Sequence, residues 1–94
     1  MKQISFGQKV SAAPETMINE VGGEAVLLNL KSECYYGLDD VGTSMWKALT
    51  SGGTIEEAYR SLMDEFEVDG EQLRRDFLAL IEKLSEQELI EIND

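Results

Sequence analysis

Thr16-Met17-Ile18-Asn19-Glu20-Val21, then Gly22-Gly23, then Glu24-Ala25-Val26-Leu27-Leu28-Asn29-Leu30, then Lys31-Ser32-Glu33, then Cys34-Tyr35-Tyr36-Gly37-Leu38: this stretch sets the fold class. Two apolar-rich runs flank a Gly-Gly pair, and both glycines can take the positive φ that a two-residue hairpin turn demands. In the second run Val26, Leu28 and Leu30 alternate to one face and Ala25, Leu27 and Asn29 to the other. Both faces are mainly apolar, so this run is expected at the centre of the sheet. Lys31–Glu33 is a polar turn into a short aromatic run. The expectation is a three-stranded antiparallel meander, with the single proline, Pro14, just before it, where a missing N–H does little harm.

Downstream the hydrophobic period changes from two to that of a helix. Asp39 or Asp40 can cap a first helix carrying Val41, Met45, Trp46 and Leu49, which Ser51-Gly52-Gly53 ends. Thr54 with Glu57 has the spacing of a capping box, ahead of Ile55, Ala58, Tyr59, Leu62, Met63 and Phe66. Asp69 with Gln72 suggests a looser box opening a third helix with Leu73, Phe77, Leu80, Ile81 and Leu84 on one stripe. Leu89, Ile90 and Ile92 form an apolar tail, and residues 88–92 fit either a last helical turn or a small strand. The expected fold is α+β, one domain over residues 1–94, with strands within 10–38 and helices within 39–88.

Composition removes whole classes of function. The 94 residues contain 19 acids, 8 bases and no histidine, a net charge of −11. Residues 1–53 hold six acids and four bases; residues 54–94 hold thirteen and four. Phosphate binding rests on Lys and Arg, so nucleic acid is not an expected partner, nor is an anionic membrane. Without histidine there is no Ser-His-Asp triad, no Cys-His pair and no His-ligated zinc. One cysteine, Cys34, permits no internal disulfide and no thiolate cluster. Glycine-rich phosphate loops and nucleophile elbows are absent. Adjacent carboxylates such as Asp39/Asp40 and Glu56/Glu57 follow from the acid content and from the favourable helix N-terminus. Catalysis, a cofactor and a metal centre are therefore not expected. Met1–Val10 has no apolar core of a signal peptide, and a cytoplasmic location is expected.

What remains is surface for binding. A meander has two outer strands with unpaired N–H and C=O groups. If Cys34–Leu38 is outermost, a guest peptide can add to it as a further strand. Of Tyr35 and Tyr36, one is expected in the core and the other outside. On the third helix Arg74, Leu78, Ile81 and Ser85 form a line beside the core stripe, a second wall for a guest. Arg74 and Arg75 are half the bases of the acidic segment; Arg75 also stands four residues after Glu71, at ion-pair spacing.

The order Val26-Leu27-Leu28-Asn29-Leu30, polar turn, Tyr35-Tyr36-Gly37-Leu38, Asp39-Asp40-Val41-Gly42, Met45-Trp46 and Leu49 resembles the PqqD-like family. So does the continuation through Thr54-Ile55-Glu56-Glu57, Phe66 and Val68-Asp69 to a long helix. The family is named for protein D of pyrroloquinoline-quinone biosynthesis and includes the leader-binding proteins of lasso-peptide and other ribosomal natural-product pathways, the RiPP recognition elements. The resemblance spans roughly residues 10–92. It implies a winged-helix-like domain of three strands followed by three helices. In such domains the leader of a precursor peptide lies antiparallel to the third strand, between it and the third helix. By position, the implied contacts are Cys34, Tyr35, Tyr36 and Gly37 on the strand and Arg74, Leu78 and Ile81 on the helix, with Arg75 beside them. The implied function is delivery of a precursor to a processing enzyme. A lasso-peptide pathway ranks first, a pyrroloquinoline-quinone peptide chaperone second and a winged-helix DNA-binding regulator a distant third. The family's Gly-Leu-like ending is replaced by Gln87-Glu88-Leu89-Ile90.

Overall fold

A computed structural model describes residues 4–93. The elements run β1 (Lys9–Ala12), β2 (Thr16–Val21), β3 (Glu24–Asn29), β4 (Cys34–Leu38), α1 (Asp40–Leu49), α2 (Ile55–Glu65), α3 (Gly70–Glu86) and β5 (Ile90–Asn93). The expected α+β class holds: an antiparallel sheet in the order β2-β3-β4, followed by three helices.

The β2–β3 hairpin turns where expected. Gly22 and Gly23 have φ of 61° and 87°, the left-handed pair that a type I′ turn uses to match strand twist. β3 is central, but its two apolar faces differ in fate. Ala25, Leu27 and Asn29 are buried at 3%, 0% and 3% exposure, whereas Val26 on the other face is 45% exposed. The helices cover one face of the sheet only.

One feature departs from the sequence expectation, and one alternative left open is decided. β1 was not anticipated; it pairs antiparallel with β5 through Val10↔Ile92 and Ala12↔Ile90, forming a separate two-stranded ribbon. The apolar tail is thus a strand from Ile90, and α3 stops at Glu86. The pairing joins positions about eighty residues apart, so no local pattern announces it.

The helices begin as their caps dictate. The Asp39 side chain, not that of Asp40, accepts from Gly42 N at 2.7 Å and caps α1. Thr54 and Glu57 form the full capping box. The Thr54 backbone N–H, then its hydroxyl, hold the Glu57 carboxyl below the usual carboxylate range. The carboxylate half of this box is formed at neutral pH and weakens on acidification through that lowered value, while the Thr54 hydroxyl still accepts from Glu57 N. The looser box at α3 is not formed: Asp69 accepts from Glu71 N, and Gln72 donates instead to Asp76. Ahead of β1, Gln8 O and Phe6 O accept from Ile55 N and Glu56 N, satisfying first-turn donors of α2.

The core gathers Leu27, Leu49, Ile55, Leu62, Phe77, Ile81, Leu84 and Leu89, all nearly inaccessible. Each contributes about 1.5–3 kcal/mol by burial. Trp46 joins them at 5% exposure; Val41 and Met63, expected on core stripes, lie largely at the surface. Asn29 is the buried polar group that ties the layers. Its Nδ2 donates to Glu88 O at 2.8 Å, and its Oδ1 accepts from Lys31 N and Ser32 N. It thereby fixes both the β3–β4 turn and the α3–β5 connection, where Glu33 and Glu88 adopt positive φ.

Trp46→Ala is expected to lower stability by ~3–5 kcal/mol in chemical denaturation. Asn29→Leu, which removes three part-buried hydrogen bonds to the Glu88 carbonyl and the Lys31 and Ser32 N–H groups, is expected to cost ~2–3 kcal/mol. A loss under about 1 kcal/mol for either contradicts its assigned role.

Candidate functional site

The hairpin turn determines which backbone groups point where. A two-residue turn makes Val21 and Glu24 a hydrogen-bonded pair, and antiparallel pairs then alternate bonded and unbonded. The Leu30 N to Glu15 O bond, 2.8 Å, lies on that alternation. Residues 24, 26 and 28 of β3 therefore bond toward β2, and residues 25, 27 and 29 toward β4. Their β4 partners are Leu38, Tyr36 and Cys34. The N–H and C=O groups of Tyr35 and Gly37 consequently point outward. Among the described residues no strand pairs with that edge.

Side chains follow the same parity. Tyr36 lies opposite Leu27 on the helix-covered face, is half-buried and packs against the core. Tyr35 lies opposite Leu28 on the other face and is 75% exposed. One tyrosine is inside and the other outside, as the strand period requires. Cys34 is on the covered side opposite buried Asn29, yet is itself exposed. The helical layer thus thins out over β4 and leaves its margin accessible.

On α3 the expected residues separate. Leu78 and Ser85 are half-buried along one flank. Ile81 is at 0% exposure; it supports the wall from inside and presents no surface. The Arg74 guanidinium lies 4.9 Å from the ring centre of Phe6, which meets Tyr59 edge-on at 5.7 Å. Arg74 is therefore engaged with the segment ahead of β1. Arg75 projects away from the buried stripe of α3 and pairs with Glu71 at 3.8 Å, both ends exposed. Phe6 carries no local pattern that marks it as a partner of Arg74, 68 residues away.

Ser85 also lines a cavity of about 730 Å³ with Asn29, Lys31, Glu88 and Ile90, where α3 ends beside the start of the β3–β4 turn. Among the described residues no cluster of His, Cys, Asp or Glu is arranged to hold a metal ion. No described helix is long and apolar enough to cross a membrane. What the arrangement offers chemically, among the described residues, is outward-facing main-chain donors and acceptors at Tyr35 and Gly37 beside the exposed Tyr35 side chain.

Residues 24–90, which begin at β3 and include β4 and α3, match the family described as Coenzyme PQQ synthesis protein D (PqqD). The chain belongs to the PqqD family. Two solved structures extend the likeness. One, TbiB1 in complex with the TbiA(beta) leader peptide, is 31% identical with a TM-score of 0.79, covering 86% of this chain and 94% of that one. The other, a lasso peptide synthetase B1 complexed with the leader peptide, is 25% identical with a TM-score of 0.77, covering 88% and 98%. No curated protein sequence matches significantly. The matched PqqD segment contains β4 but not β2, the sheet's other outer strand.

In amide hydrogen exchange, Tyr35 and Gly37 of this PqqD-family chain are expected to exchange fast and Tyr36 slowly, by parity alone. Equal protection of all three contradicts the register.

Proposed function

We propose that this chain is a non-catalytic adaptor that captures the leader segment of a ribosomally made precursor peptide and delivers the attached core to a processing enzyme. The observation that carries the reading is the open edge at Tyr35 and Gly37. A disordered leader gains order there as a fourth strand, with affinity from main-chain hydrogen bonds and selectivity from side chains at alternate positions. Cys34, Tyr35, Tyr36 and Gly37 form the strand side of the site, and Leu78 lines the helix side. Ile81 acts only as backing. Arg74 reaches a guest only by leaving Phe6, and Arg75 stands outside the site. The two leader-bound neighbours support the same use of this fold.

The benefit of capture is effective concentration: an enzyme with weak affinity for the core meets it tethered nearby. The ordering entropy of the leader opposes binding, so a Kd from about 1 μM down to submicromolar is expected. A lasso-peptide pathway is the reading favoured by the neighbours. The family's description favours a second, a peptide chaperone in pyrroloquinoline-quinone synthesis, which uses the same edge. A cytoplasmic setting fits either.

Titration with synthetic leader peptides of the precursor encoded beside this chain tests the reading. Binding is expected to weaken at least about tenfold when the guest's edge-facing amides are N-methylated, because those hydrogen bonds are lost. It is expected to change little with salt, unlike binding through phosphates. Leader binding that tolerates N-methylation overturns strand addition, and steeply salt-dependent binding of duplex DNA overturns the adaptor reading.

A further inference from the structure

The face of the sheet turned away from the helices is apolar. Cross-strand register places Met17, Leu28 and Tyr35 in one row and Asn19, Val26 and Gly37 in the next, with Val21 beyond. Met17 is 55% exposed, Val21 72%, Val26 45% and Tyr35 75%. Together these side chains expose on the order of 400–500 Å², the size at which a contiguous patch on a monomer usually has a use. The face is also indented. Gly37 contributes no side chain to its row, a Cβ there would meet nothing within 4 Å, and a depression of about 510 Å³ lies beside Val21, Val26 and Gly37. Glu24 and Asp39 line the same depression and no basic residue does.

We propose that this outer face is the docking surface for the processing enzyme, and that the enzyme presents an apolar protrusion flanked by basic side chains. The inference rests on the adaptor reading and deepens it. Two observations select this occupant. The first is charge: the depression has an acidic rim, and the whole chain carries −11. A second copy would set acidic rim against acidic rim, whereas a basic partner is attracted and steered. The second is continuity. Tyr35 and Gly37 belong both to this face and to the edge that receives the leader. A guest strand on β4 turns every second side chain onto the same face. An enzyme seated there lies beside the bound leader.

Val26→Lys and Met17→Lys test the proposal, since both side chains are exposed, neither belongs to the β4 edge, and each adds a positive charge facing the basic partner. Two titrations are run: fluorescent leader onto each variant, and each leader-loaded variant onto the processing enzyme. Leader affinity is expected to stay within about twofold of wild type and enzyme affinity to fall at least about tenfold, the scale of a lost interface centre. Unchanged enzyme affinity in both variants overturns the proposal. So does a wild-type dimer in sedimentation that Val26→Lys dissociates, because the occupant is then a second copy. Failure of the wild-type protein to bind any leader is a separate result and strikes the adaptor reading itself. Circular dichroism and thermal melts identify a variant that misfolds, in which case the other decides.

Discussion

The hydrogen-bond parity imposed by Gly22-Gly23 is the constraint from which the site follows. Two residues in a tight turn fix the register of β3 on β2, and that register fixes which backbone groups of β3 remain for β4. Tyr36 is thereby committed to the interior and Tyr35 and Gly37 to the exterior. A slip of one residue anywhere in the meander would exchange these roles and expose the wrong side chains. The open edge is a consequence of a turn on the far side of the sheet.

An open edge is a hazard as well as an opportunity, since it invites any extended chain. β4 is short, five residues, and the net charge of −11 opposes the approach of a second copy. The other outer strand, β2, is longer, but its margin is partly occupied. Thr16 N donates back to Ala13 O, and the Thr16 hydroxyl donates to Leu89 O. The Glu20 carboxylate is held by Lys47 of α1. The two edges thus differ in what the rest of the molecule does to β2. Asn29 contributes from the centre of the sheet by holding the turn that launches β4.

Much of this is legible in the sequence because it is local. The Gly-Gly turn, the capping box at Thr54 and the apolar stripe of α3 each depend on residues within a few positions of one another. The inside–outside split of Tyr35 and Tyr36 follows from strand period alone, although which is inside requires the register. What escaped was set by distant partners. β1 has no meaning without β5, and Arg74 is a groove residue on a helical wheel but a cover for Phe6 once the segment before β1 folds back. Ile81 sits on the boundary between stripe and flank, and only packing decided for the core. Leu28 and Val26 read as a second buried face, whereas the sheet is covered on one side only.

The most direct measurement is solution NMR of the protein with bound leader, reading nuclear Overhauser effects between backbone protons of the two chains. The account predicts cross-strand contacts from the amides of Tyr35 and Gly37 to alternate residues of an antiparallel guest. Contacts to Ile18 and Glu20 on β2, or contacts confined to the helices, would contradict it.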